Sequence, residues 1–250
     1  MESRIPAGGP PVFLVPPGEL TARVITLTGQ EGHHAAVVRR LGIGERMDLS
    51  DGAGTVATGA VTAVGKSSVT VEVHAARTIP APQPRLTVAQ ALPKGDRGEL
   101  AVELMTEVGV DAVVPWSAER SITRWQGDRG ERALAKWRAT AREAAKQSRR
   151  AWLPEIAAPA GTTALAERAS AAACAIVLEA DGARKLHELT LPAEGDVLLI
   201  VGPEGGASPA ERGALREAGA IEARLGPTVL RTSTAGAVAA AVLLARTARW

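Results

Sequence analysis

The chain has 250 residues, 46% of them hydrophobic, and a net charge of +2 from 29 basic and 27 acidic side chains. That length provides a sizeable core in one large domain or two modest ones, and the near balance of charge excludes a uniformly basic nucleic-acid binder, so any such surface must come from local clustering. Aromatic residues amount to 2%, with no tyrosine, which counts against rows of stacking rings for single strands but not against reading folded RNA by shape.

Residues 1–77 read as a small β-rich domain. The start has no basic region followed by an apolar one, which speaks against a signal peptide. Residues 12–15 and 24–28 are strand candidates, and Val69, Val71 and Val73 alternate with polar neighbours as a half-buried strand does. Between them, residues 31–41 read as one short helix with His33 and His34 at its start and Arg39 and Arg40 near its end. The two histidines are an exposed polar helix start on the plain reading; no cysteine or carboxylate cluster completes a metal site, and none is expected.

Residues 78–85 hold three alternating prolines, a stiff linker, and the domain boundary is placed there. From residue 86 to 250 the pattern changes to alternating strands and helices, the mark of an α/β domain with a parallel sheet. Residues 86–92 form a strand. Residues 97–108 form a helix with Leu100, Leu104 and Val108 on one face and Gly109 as its stop. A strand at 110–115 leads into a loop with two arginines and two tryptophans, and then into the most basic element, a helix over 130–150. Arg138, Arg142, Lys146 and Arg149 recur there at helical spacing, either as a solvated face or as a phosphate-tracking stripe.

A helix near 163–172 and a strand over 175–179 follow. Cys174, the one cysteine, precedes that strand in an apolar run, so a structural thiol and a reducing, cytoplasmic setting are expected. A short helical segment is expected around 184–189. Residues 197–201 are an unbroken apolar strand, ended by Gly202-Pro203-Glu204-Gly205-Gly206. Ser208, Pro209 and Glu211 then spell a capping box with proline at the first helical position, and Gly219 ends that helix. The plan repeats: a strand over 221–225, Gly226-Pro227, and a lead-in over 228–234 to an alanine-rich helix from 235 to about 246. Its apolar run is too short and alanine-rich to span a bilayer, so no membrane partner is expected. Two glycine loops thus lie at the carboxyl ends of what read as neighbouring strands, where ligands bind in open α/β sheets. The loop after residue 178 is a third wall.

The blocks at 201–206, 225–232 and 234–235, with Pro93-Lys94-Gly95-Asp96-Arg97, Glu119-Arg120-Ser121 and residues 143–150, resemble the bacterial 16S ribosomal RNA uridine-N3 methyltransferases, the small-subunit methyltransferase E family of the knotted SPOUT class. The resemblance implies a SPOUT domain with a C-terminal trefoil knot behind a PUA-like RNA-binding β-barrel. It also implies a homodimer, 16S rRNA or the small ribosomal subunit as partner, and S-adenosylmethionine as cofactor. The cofactor would be held by Leu178, Glu179, Gly202, Pro203, Glu204, Gly205, Leu225, Gly226, Leu230, Arg231 and Thr232.

On the same resemblance, Arg231 stabilises the anionic uridine, and Glu204 is either the base or a binder of backbone amides. RNA contacts fall to His33, Arg39, Arg40, Lys94, Arg120, Arg124, Arg142, Lys146 and Arg149. Two departures stand out: Ser233 occupies a position where the family often has glutamate, and Ala207 replaces a bulkier apolar residue. Rival readings are a related enzyme acting on transfer RNA or another ribosomal site, and a catalytically silent RNA-binding assembly factor. A dehydrogenase is disfavoured because G-x-G-x-x-G is absent.

Overall fold

The computed structural model describes residues 9–250; residues 1–8, the start of the expected N-terminal domain, lie outside the described residues. The chain divides into two units. One takes the chain up to Ala81 together with Ala145–Leu153, the other Pro82–Ala144 and Pro154–Trp250. The division near residue 81 falls inside the proline-rich stretch, but a nine-residue segment further on also belongs to the first unit, which a single cut does not anticipate.

In the first unit, β1 (Val12–Leu14), β2 (Val24–Leu27), β3 (Arg46–Ser50), β4 (Thr55–Val64) and β5 (Val69–Thr78) form one sheet in the order β1-β3-β4-β5-β2. The β1–β3 pair is parallel and the others antiparallel. Phe13, Met47, Leu49, Val69 and Val71 are fully buried on its inner face, as the alternation in β5 requires. In β4 the alternation slips at Thr58/Gly59 and Val61/Ala63, and such bulges hide a strand from period-2 reading. The helix expected at 31–41 starts earlier, as α1 (Gly29–His33), and widens into a π-helical turn over His34–Val38.

The second unit is built on a seven-stranded sheet made of β6 (Arg85–Ala91), β7 (Ala112–Trp116), β8 (Glu155–Ile156), β9 (Cys174–Leu178), β10 (Arg184–Lys185), β11 (Asp196–Val201) and β12 (Ile221–Arg224). Its order is β10-β12-β9-β11-β6-β7-β8 and every pairing is parallel. The helices are α2 (Arg97–Val108), α3 (Gly127–Gln147), α4 (Thr162–Ala171), α5 (Pro209–Glu217) and α6 (Thr232–Leu244). β11 shows why its sequence is apolar without interruption. Val197, Leu199 and Val201 join the core with residues of α2 and α6, whereas Leu198 and Ile200 join the core with Leu165 of α4 and Leu215 of α5. A parallel strand covered on both faces needs both sets.

Three expectations change. α2 has the expected bounds, and Gly109 ends it at φ 111°, but its buried residues are Gly98, Ala101, Val102, Met105 and Thr106, while Leu100 is 44% exposed. Small residues let the helix sit close: a Cβ on Gly98 would lie 2.7 Å from Trp137 Nε1. β11 and β12 are not neighbours, because β9 runs between them. Finally, α6 begins at Thr232, not at residue 235, with Arg231 as its extended N-cap residue.

Candidate functional site

The carboxyl ends of β9, β11 and β12 carry three loops that close one cavity of about 420 Å³, within the size range of nucleoside-sized ligand sites. The loop after β9 is its central wall. Leu178, Glu179 and Ala180 line it, and the turn is tight: Gly182 N–H donates to Glu179 O at 3.1 Å. Glycine is required at 182, since a Cβ there would stand 2.7 Å from the backbone of Ala223 and Arg224.

The loop after β11 contributes Val201, Gly202, Pro203, Glu204 and Gly206. Gly206 has φ 70° and donates to Pro203 O at 2.8 Å, a left-handed turn that favours glycine. Gly205, expected at the cofactor, is not among the lining residues; it faces Arg120, whose Nη1 donates to Gly205 O at 3.0 Å. Behind this loop the capping box forms as read. Ser208 caps α5, and the buried Glu211 carboxylate accepts from the Ser208 and Glu119 N–H groups, each at 2.8 Å, and from Thr162 Oγ1 at 3.0 Å. Glu211, not Glu204, is therefore the carboxylate that gathers backbone amides; Glu204 is exposed on the rim.

The third wall comes from Leu225, Gly226, Thr228, Val229, Leu230 and the start of α6 at Arg231, Thr232 and Ala235. Thr232 Oγ1 donates to Gly202 O at 3.2 Å and Gln90 Nε2 to Thr232 O at 3.3 Å, so the first turn of α6 is tied to the β11 loop and to β6. Its N-terminus adds partial positive charge. Arg231 is exposed at the rim. Ser233 is buried and does not line the cavity.

At the β9 and β12 side lies a charge cluster that the sequence did not reveal. Arg212 donates from Nε and Nη2 to Glu222 at 3.0 and 2.8 Å, and stands 3.4 Å from Asp181 and 3.9 Å from Glu179. The bond to Arg212 holds the Glu222 carboxyl below its ordinary range, and the same bond raises Arg212. Burial pushes the Glu179 carboxyl up, with Arg212 pulling the other way and Asp181 and Glu222 adding to the rise. Glu179 Oε1 is buried without a hydrogen-bond partner. An orphaned acceptor beside a cavity of this size, rimmed by glycines and a helix N-terminus, fits a nucleoside that brings its own donors.

The residues proposed to meet RNA are spread differently from the expected stripe. Arg142 is exposed on α3, and His33, Arg39, Arg40 and Lys94 are exposed as well. Arg124 is exposed too, but its guanidinium is held by the backbone, donating to Ala118 O and Glu119 O, both at 2.6 Å. Lys146 is a correction: it is buried, and its Nζ donates to Glu31 Oε1 at 3.0 Å. Arg149 is another. It pairs with Asp48 and donates to Pro10 O at 2.5 Å. Sequence spacing put both on the open face, but α3 ends at Gln147 and these charges are consumed inside the first unit. Among the described residues no group of three or more His, Cys, Asp or Glu is placed to hold a metal, and no helix is long and apolar enough to cross a membrane.

The chain is similar to known proteins over nearly its whole length. Residues 80–244 match an RNA methyltransferase domain and residues 27–73 an RNA methyltransferase PUA domain. A ribosomal RNA small subunit methyltransferase E of Mycobacterium bovis is 43% identical over 234 residues, covering 92% of this chain and 89% of the relative. A methyltransferase of Legionella pneumophila, solved in complex with bound cofactor SAM, has a TM-score of 0.86 at 26% identity, covering 96% of this chain and 98% of that one. A ribosomal RNA small subunit methyltransferase E from Neisseria gonorrhoeae bound to S-adenosyl methionine has a TM-score of 0.85 at 27% identity, with the same coverage.

Proposed function

Because the chain belongs to the RNA methyltransferase family of ribosomal RNA small subunit methyltransferase E, we propose that it methylates N3 of a uridine in 16S rRNA with S-adenosylmethionine as donor. The observation that carries this reading is the single cavity formed by the three strand-end loops, with glycine backbone on two walls and Arg231 at its mouth. Leu178, Gly202, Leu225, Gly226 and Leu230 hold the nucleoside through main-chain groups and apolar contact. When bound, S-adenosylmethionine supplies an already activated methyl group on a sulfonium, so the protein's task is placement and control of charge.

Uridine N3 bears a proton used in base pairing, so the target must be unpaired and turned into the site. Loss of that proton spreads negative charge onto the ring oxygens, and the Arg231 guanidinium at the rim stabilises it once the bound base covers the mouth of the cavity. Glu204, exposed on the same rim, is the carboxylate available to take the proton. Arg39, Arg40, Lys94, Arg120 and Arg142 supply cationic contacts to the RNA backbone, and His33 a hydrogen-bonding one. The working molecule is a cytoplasmic homodimer, and the α6 segment is threaded as the family's trefoil knot.

The test offers purified protein labelled S-adenosylmethionine with unmodified small subunits and with naked 16S rRNA, then maps reverse-transcription stops. A methyl on N3 blocks pairing and leaves one stop at a uridine; label incorporated with no such stop would overturn the assignment of N3.

A further inference from the structure

Glu179 is the first residue beyond β9, and its backbone is fully engaged. Its N–H donates to Ala223 O at 3.0 Å and its carbonyl accepts from Gly182 N–H at 3.1 Å. The side chain lines the cavity, is 10% exposed, and leaves Oε1 without a partner. The nearest cation does not satisfy it. Arg212 Nη1 stands 3.9 Å away, beyond hydrogen-bond range, and that guanidinium is already committed to Glu222 by two bonds and to Asp181 at 3.4 Å. Arg120, the other cation in its surroundings, donates to Gly205 O at 3.0 Å.

A buried carboxyl with free lone pairs is costly unless something supplies donors. Here one guanidinium serves three carboxylates, so the protein does not supply them. We propose that the Glu179 carboxylate accepts hydrogen bonds from the ribose hydroxyls of the cofactor, an inference that rests on the S-adenosylmethionine reading of this cavity. Two vicinal hydroxyls present paired donors to the two carboxylate oxygens, and the end of a parallel strand is where acidic side chains meet a nucleoside ribose in other open α/β sheets.

The charges facing Glu179 strengthen the point: Arg212 on α5, Glu222 on β12, Asp181 in its own turn and Arg120 after β7. Burial holds the carboxyl above its ordinary range, and hydroxyl donors favour the ionised form. Cofactor affinity therefore strengthens as pH rises through the value of the free protein.

The test measures calorimetric affinities of the full chain for S-adenosylhomocysteine, for its 2′,3′-dideoxy analogue and for 5′-methylthioadenosine, which lacks the amino-acid ammonium. Wild type is expected to lose about tenfold or more on removal of the diol. Glu179→Ala is expected to bind the parent ligand about tenfold more weakly and to lose its discrimination between diol and dideoxy ligands. Glu179→Gln keeps the volume and removes the buried charge, so it folds, and its discrimination is expected to fall between the two. Undiminished preference for the diol in both variants overturns the inference while leaving the cofactor site standing. Erasure of the preference for the ammonium instead also overturns it, because the donor would then be the amino group. Failure of wild type to bind any of the three ligands sinks the methyltransferase reading itself.

Discussion

The interior of the first unit and the cavity of the second use charge in opposite ways. In the first, Lys146 meets Glu31, and Arg149 meets Asp48; each ion pair links residues far apart in the chain and is shielded from solvent. In the second, the cavity leaves Arg231 and Glu204 exposed and Glu179 only partly answered. Charges that are paired and buried fix a structure, whereas charges left open or short of partners are free to meet a ligand. Lys146 and Arg149 share helical spacing with Arg142, yet only Arg142 remains on the solvent face.

The sharpest way to break this contrast is to remove one partner of a closed pair. Glu31→Leu or Lys146→Met is expected to destabilise the first unit by about 3–5 kcal/mol, because the survivor is left as a buried, poorly compensated charge. The double variant should recover much of the loss, which urea unfolding would measure; additive losses would mean that the pair is not a closed unit.

Next in size is the open side. Arg231→Ala is expected to lower the methylation rate about 10²–10³-fold while leaving the melting temperature nearly unchanged. A variant with wild-type turnover would remove Arg231 from the chemistry. Between these extremes lies Glu211, buried and structural but adjacent to the cavity. Glu211→Ala removes acceptors from two backbone amides and a hydroxyl, and should cost about 2 kcal/mol of stability together with a weakened cofactor Kd. Loss of stability without any effect on the Kd would detach the cap from the site.

The smallest effect is a contrast in pH dependence. Burial raises the Asp48 carboxyl above 3.8, with Arg149 lowering it in part. Its contribution to stability is therefore complete below that value and is lost as pH rises through the folded value. Glu222 is held below 4.5 by Arg212, so its contribution is present above 4.5 and is lost as pH falls through the folded value. The stability gap between wild type and Asp48→Asn should thus widen toward acid, while the gap between wild type and Glu222→Gln should narrow. Denaturant midpoints measured across the acid range would decide this, and slopes of the same sign would contradict the assignment.

Local rules reached far into this chain. The capping box at Ser208 and Glu211, the stop at Gly109 and the two-sided apolar run of β11 are all written in neighbouring residues, because capping, left-handed turns and strand burial depend on a few adjacent side chains. The glycine loops at 202–206 and 226 were likewise readable, and ten of the eleven residues named for the cofactor do line the cavity. Two things escaped local pattern. The bulges in β4 break its period, and the buried face of α2 follows small residues chosen for close approach, not the leucines that stand out in the sequence.

What the sequence by itself determined is the alternation of strands and helices, the turn chemistry and the family-like loops, since each is set within a few residues. Only the tertiary structure decided that β9 separates β11 from β12, that Arg212 is claimed by Glu222 and leaves Glu179 short of a donor, and that Lys146 and Arg149 are spent inside the first unit. The reason is physical: whether a charge is free depends on which groups the fold brings within about 3 Å of it, and one-dimensional spacing carries no such distance.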